Sequence, residues 1–108
     1  MIQVAISRSN KKITAFEISG HADSGPYGYD LVCAGVSAVS FGVINAIHEL
    51  CGVELVIEEG REGGYLYAEI PTTLPEIQKD NIQILLQGML ISLQTIEREY
   101  EKFLKIQQ

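Results

Sequence analysis

Residues 30–52 read DLVCAGVSAVSFGVINAIHELCG, and how this run folds decides what the rest of the chain has to do. Asp30 is a suitable N-cap and Gly52 a suitable stop, so the stretch predicts one helix from Asp30 to about Cys51. The helix is apolar almost all round, with small residues Ala34, Gly35, Ala38, Gly42 and Ala46 along it. Such a helix belongs at the centre of a domain, in close contact with a sheet. Its flanks supply the sheet. Residues 2–8 and 12–20 read as strands, because Val4 and Ile6, then Phe16 and Ile18, alternate with more polar neighbours. Ser9-Asn10-Lys11 between them has turn chemistry and predicts a hairpin. After the helix, Val53, Leu55 and Ile57 alternate with Glu54 and Glu58, residues 59–64 turn the chain, and Tyr65 to Ile70 returns before Pro71. A second helix, from roughly Pro75 to Leu104, keeps Ile82, Leu86, Met89, Leu93, Ile96, Tyr100 and Phe103 at helical spacing. The order ββαββα predicts an α+β fold, a four-stranded sheet with two helices, as a single domain over residues 1–108.

Composition narrows the function classes. The chain is 46% apolar and 20% charged, the balance of an ordinary soluble domain. Its net charge is −6 and it has no Lys/Arg cluster, so it repels phosphate backbones and direct nucleic-acid binding is not expected. The same field attracts a basic protein or peptide. The longest weakly polar stretch, Leu31 to Ile47, contains Ser37, Ser40 and Asn45 and reads as too short and too mixed to span a membrane. The N-terminus lacks the basic and apolar regions of a signal peptide. The expected compartment is the cytoplasm, where thiols stay reduced.

Two Cys and two His allow an exhaustive check of thiol chemistry. With Asp30 as cap, Cys33 falls in the first helical turn, where the helix dipole and unpaired N–H groups favour an anionic sulfur. Cys51 lies at the other end of the same helix, roughly 27 Å away, whereas disulfide partners need Cα atoms within about 7 Å. His48 is separated from Cys33 by roughly 22 Å of helix. His21, at the end of the second strand and before a loop that leads back to Cys33, is the remaining intramolecular partner. A thiolate at Cys33 can attack a peptide carbonyl while the His21 imidazole handles the protons. Backbone N–H groups near Cys33 and Ala34 are the expected oxyanion donors. A plainer reading makes Cys33 a small buried helix residue and His21 an ordinary strand-end histidine, and spacing alone does not choose. Strand alternation also puts His21 on the face opposite Phe16 and Ile18, so the chain has to twist or bulge before His21 reaches Cys33. Asp30 is either the cap or an orienting group. Ser37, one turn beyond Cys33, either lines a pocket or bonds the backbone. There is no Cys-x-x-Cys and no His-Glu-x-x-His, so neither a metal nor a redox cofactor is expected.

Gly20-His21-Ala22, followed by Tyr27-Gly28-Tyr29-Asp30-Leu31-Val32-Cys33-Ala34-Gly35-Val36-Ser37, resembles the signature of the bacterial ribosomal-processing cysteine proteases. The resemblance implies a catalytic dyad of His21 and Cys33 in a small α+β homodimer. It also implies a substrate, the N-terminal extension of a basic large-subunit ribosomal protein, cleaved after aromatic residues. The competing expectation is a non-catalytic binding protein that chaperones such a ribosomal protein or docks on the assembling particle. A thiol-based redox or acyl-transfer protein is a further one.

Overall fold

The computed structural model describes residues 1–20 and 26–108 apart from 61–63, with 26–30 described as helix backbone only. Strands β1 (Ile2–Ser9) and β2 (Lys12–Gly20) form the first hairpin. Asn10 and Lys11 both take positive φ, 52° and 69°, which is the twist a two-residue hairpin turn needs. The register shifts at Ser7 and Arg8. That shift explains why Ile13 is buried along with Phe16 and Ile18, two strand positions of opposite parity. From the helix layer, the Gln83 side chain clamps this point, accepting from Ile13 N at 2.8 Å and donating to Ile13 O at 2.7 Å.

Helix α1 (Pro26–Ala46) runs on into a π-helical turn over Ile47–Cys51, closed by Gly52 at φ 67°. Strands β3 (Val56–Glu59) and β4 (Tyr65–Glu69) make the second hairpin, helix α2 spans Glu76–Glu99, and strand β5 (Leu104–Gln107) ends the chain. The sheet order is β3-β4-β2-β1-β5, antiparallel except for the β1–β5 pair. The α+β class and both hairpins agree with the sequence reading, but the sheet has five strands, not four. Leu104 is the first residue of β5 rather than the last of the second helix. The helix stops at Glu99, where Tyr100 takes φ −133°, and Ile2 N then donates to Phe103 O, so the tail joins the sheet. Leu104 lies four residues after Tyr100, at helical spacing, which is why apolar periodicity predicts a helix that runs too far. Val53 and Leu55 are buried as expected, but the strand proper begins only at Val56.

Both helices cover one face of the sheet. Ile2, Val4, Ile6, Phe16, Ile18, Leu66, Ala68 and Leu104 meet Val32, Val36, Val43 and Ile47 of the first helical run and Ile82, Leu86, Met89, Leu90 and Leu93 of α2 in one core. A fully buried side chain such as Phe16 contributes about 2–3 kcal/mol relative to exposure. Helix α1 is not enclosed at the centre of the domain, as its all-round apolarity predicts. Leu31 is 57% exposed and Phe41 39%, and Leu50 in the π-helical turn 74%, because a two-layer domain covers only the sheet side of its helices. Leu31–Cys51 is also long and apolar enough to cross a membrane by length and composition, contrary to the expectation from the shorter stretch, although its inward side chains serve the core.

Candidate active site

The N-terminal half of α1 stands over the sheet at the β2–β4 side and leaves a groove of about 310 Å³ between them. Cys33, Ser37 and Phe41 line it from the helix, with Ile18, Gly20 and Leu66 opposite on the sheet. Glu59, Gly60, Gly64 and Tyr65 close it at the second hairpin. Cys33 is free and half-buried, resting against the core with the groove in front of it. Ser37, one turn on, is exposed along the same groove. The buried hydroxyl is that of Ser40, which donates to Val36 O at 2.7 Å.

Helix α1 begins earlier than the sequence predicts. Pro26 opens it, a residue suited to the first helical position because it has no N–H to leave unpaired. Asp30 is therefore the fifth helical residue and not the N-cap, and its side chain lies outside the described residues. Cys33 is the eighth, two turns in, beyond the first turn over which a helix end acts on charge. The N–H groups of Cys33 and Ala34 are spent inside the helix, so they are not the oxyanion donors expected of a helix start. Cys51 lies at the far end of the same continuous helical run and is also free, which leaves no room for a disulfide between the two. His48 belongs to that far end, where its Nδ1 is 3.8 Å from Glu54.

His21 lies outside the described residues, but Gly20 before it is described and carries more information than the sequence reading took from it. Gly20 ends β2 at φ +90°, and a Cβ there would collide with the Met1 carbonyl oxygen. Its N–H donates to Gly64 O at 3.0 Å. The backbone is thus pinned between the start of β1 and the second hairpin, in a conformation that side-chain-bearing residues avoid.

Tyr65, also missed, donates from its hydroxyl to Glu17 Oε2 at 2.9 Å. That hydrogen bond to a carboxylate, helped by partial desolvation, raises its pKa above the ordinary 10.0 and keeps the phenol protonated. Tyr67 is held the same way by Glu69 at 2.8 Å. Among the described residues no three His, Cys, Asp or Glu side chains converge as a metal site.

The family described as cysteine protease Prp matches residues 1–105. The ribosomal processing cysteine protease Prp of Bacillus subtilis is 47% identical over 98% of this chain and 96% of its own. The crystal structure of an essential ribosomal processing protease Prp from S. aureus, in complex with a covalently linked product peptide, superposes with a TM-score of 0.86. It shares 42% identity over 98% of this chain and 97% of that one. SMU.848 from Streptococcus mutans has the same fold, at a TM-score of 0.87 and 27% identity over 99% of this chain and 92% of that one. With the family matched over nearly all of the chain and these relatives covered over more than nine-tenths of their length, the chain belongs to the cysteine protease Prp family and is a cysteine protease.

Proposed function

We propose that this protease removes the N-terminal extension of a bacterial large-subunit ribosomal protein, using Cys33 as nucleophile and His21 as acid–base partner. The observation that carries the assignment is that Cys33 and Gly20, the residue bonded to His21, line one groove. The relatives named for ribosomal processing, and the product peptide joined covalently to the S. aureus protein, support the substrate class.

In this mechanism His21 takes the thiol proton and the Cys33 sulfur attacks the scissile carbonyl. The tetrahedral adduct collapses as His21 protonates the leaving amine, which leaves a thioester on Cys33. Water then attacks the thioester and gives a proton to His21; the C–S bond breaks, the carboxylate product leaves, and the Cys33 sulfur takes the proton back from His21. The apolar wall of Ile18, Val36, Phe41 and Leu66 suits an aromatic side chain next to the scissile bond. In this reading Ser37, one turn beyond Cys33, lines the pocket that receives the peptide, and Asp30 orients His21 or a substrate amide. The reaction runs in the cytoplasm, where Cys33 stays reduced, and needs no cofactor. The working unit is a homodimer. Its support is the apolar surface left on the helix layer, where Ile77, Ile84 and Ile91 of α2 repeat every seven residues at 71%, 72% and 63% exposure. Sedimentation equilibrium should give a dimer that Ile84→Glu converts to monomer; a monomeric wild type would sink this part.

The test of the activity is mass spectrometry of the protein incubated with the N-terminal peptide of its own organism's ribosomal protein. Cleavage at one bond, lost in both Cys33→Ala and His21→Ala, is expected. Cleavage that survives either substitution removes that residue from the dyad.

A further inference from the structure

Among its described lining residues the groove carries a carboxylate at one point. Its described lining consists of apolar, glycine, serine, tyrosine and cysteine residues, with a single ionisable carboxylate, Glu59. Strand register explains how a glutamate reaches this wall. In the β3–β4 pair Glu59 stands opposite Leu66 and Ile57 opposite Ala68. Directly paired residues share a face of the sheet, and Leu66 and Ala68 are buried on the helix side. Glu59 and Ile57 therefore point to the side of the sheet that carries Cys33, while Val56 and Glu58 belong to the open face. β3 is also the end strand of the sheet, so its outer edge has unpaired backbone groups beside the groove. An extended peptide can leave the Cys33 region along this edge, adding as a further strand.

An apolar groove holds many peptides without distinguishing them, whereas a carboxylate partly desolvated by a bound peptide favours a cationic neighbour and penalises an acidic one. Resting on the endopeptidase reading above, we propose that Glu59 is a specificity-determining residue, which selects a lysine or arginine side chain in the substrate peptide as it passes β3.

The experiment uses one cleavable peptide in three series, with Lys, Gln or Glu placed in turn at each position flanking the scissile bond. The readout is the ratio of kcat/KM between series within a single enzyme, so any loss of overall activity or folding cancels. Wild type is expected to prefer Lys over Gln at one position by about two- to five-fold, the size of a partly exposed ion pair. The preference should shrink as salt is raised. It should fall to no preference in Glu59→Gln, and Glu59→Lys should prefer the Glu peptide at that same position. A wild type indifferent to charge at every position, or a Lys preference that persists in Glu59→Gln, overturns the role of Glu59 and leaves the endopeptidase reading standing. Failure of wild type to cleave any of the peptides overturns both.

Discussion

One helical run carries a cysteine near each end, and the two ends are built differently. Cys33 and Cys51 are both free and both half-buried. At the Cys51 end the chain is closed off. Gly52 takes the left-handed conformation and donates back to His48 O, and Gln78 of α2 donates its side-chain amide to Cys51 O at 2.9 Å. At the Cys33 end the helix faces a groove with a pinned glycine across from it. Similar burial therefore does not mean similar chemistry. A thiol becomes a nucleophile when space for a substrate and a proton acceptor lie before it, and among the described residues it is Cys33 that lines such a groove.

The largest test of that contrast swaps both cysteines. Cys33→Ala should lower peptide cleavage by about 10³-fold or more, as loss of a nucleophile does. Cys51→Ala should keep cleavage near wild type and lose about 1 kcal/mol of stability, from apolar contacts in a partly buried site. Substantial loss of cleavage in a folded Cys51→Ala would mean that the two ends are not functionally separate. Gly20→Ala comes next. Positive φ and the clash with Met1 should cost about 1–3 kcal/mol in denaturant unfolding. The residual folded protein should cleave more slowly, because the strand end before His21 has moved. An unchanged midpoint and unchanged rate would show that this backbone has freedom the structure denies it. The smallest effect is expected at the closed end. Gln78→Ala removes one part-buried hydrogen bond and should cost about 0.5–1.5 kcal/mol, with kcat/KM of the remaining folded protein unaltered. A fall in kcat/KM there would couple the two ends.

Much of this molecule is legible in its residues because the signals are local. Alternation in residues 2–8 and 12–20 and the Asn10-Lys11 turn give the first hairpin, and Tyr65 to Ile70 gives the returning strand of the second. Helical distance separates Cys33 from both Cys51 and His48 without any structure. Other features were misread where two local signals overlap. Leu104 fits the apolar spacing of the preceding helix, yet it opens β5, because β1 offers a parallel partner from the other end of the chain. Asp30 has a cap's side chain, but Pro26 starts the helix earlier.

The sequence alone therefore determined the fold class and the two hairpins, and it set Cys33 apart from Cys51 and His48 along one helix, since these follow from short-range periodicity and the rise of a helix. Tertiary structure alone decided the fifth strand and the faces of α1 left uncovered. It also decided the collision that reserves position 20 for glycine and the register that turns Glu59 into the groove. Each of these depends on contacts between residues distant in the chain, Met1 with Gly20, Ile2 with Leu104 and Glu59 with Leu66. No local pattern encodes them, because the partner that makes each residue matter is supplied by another element.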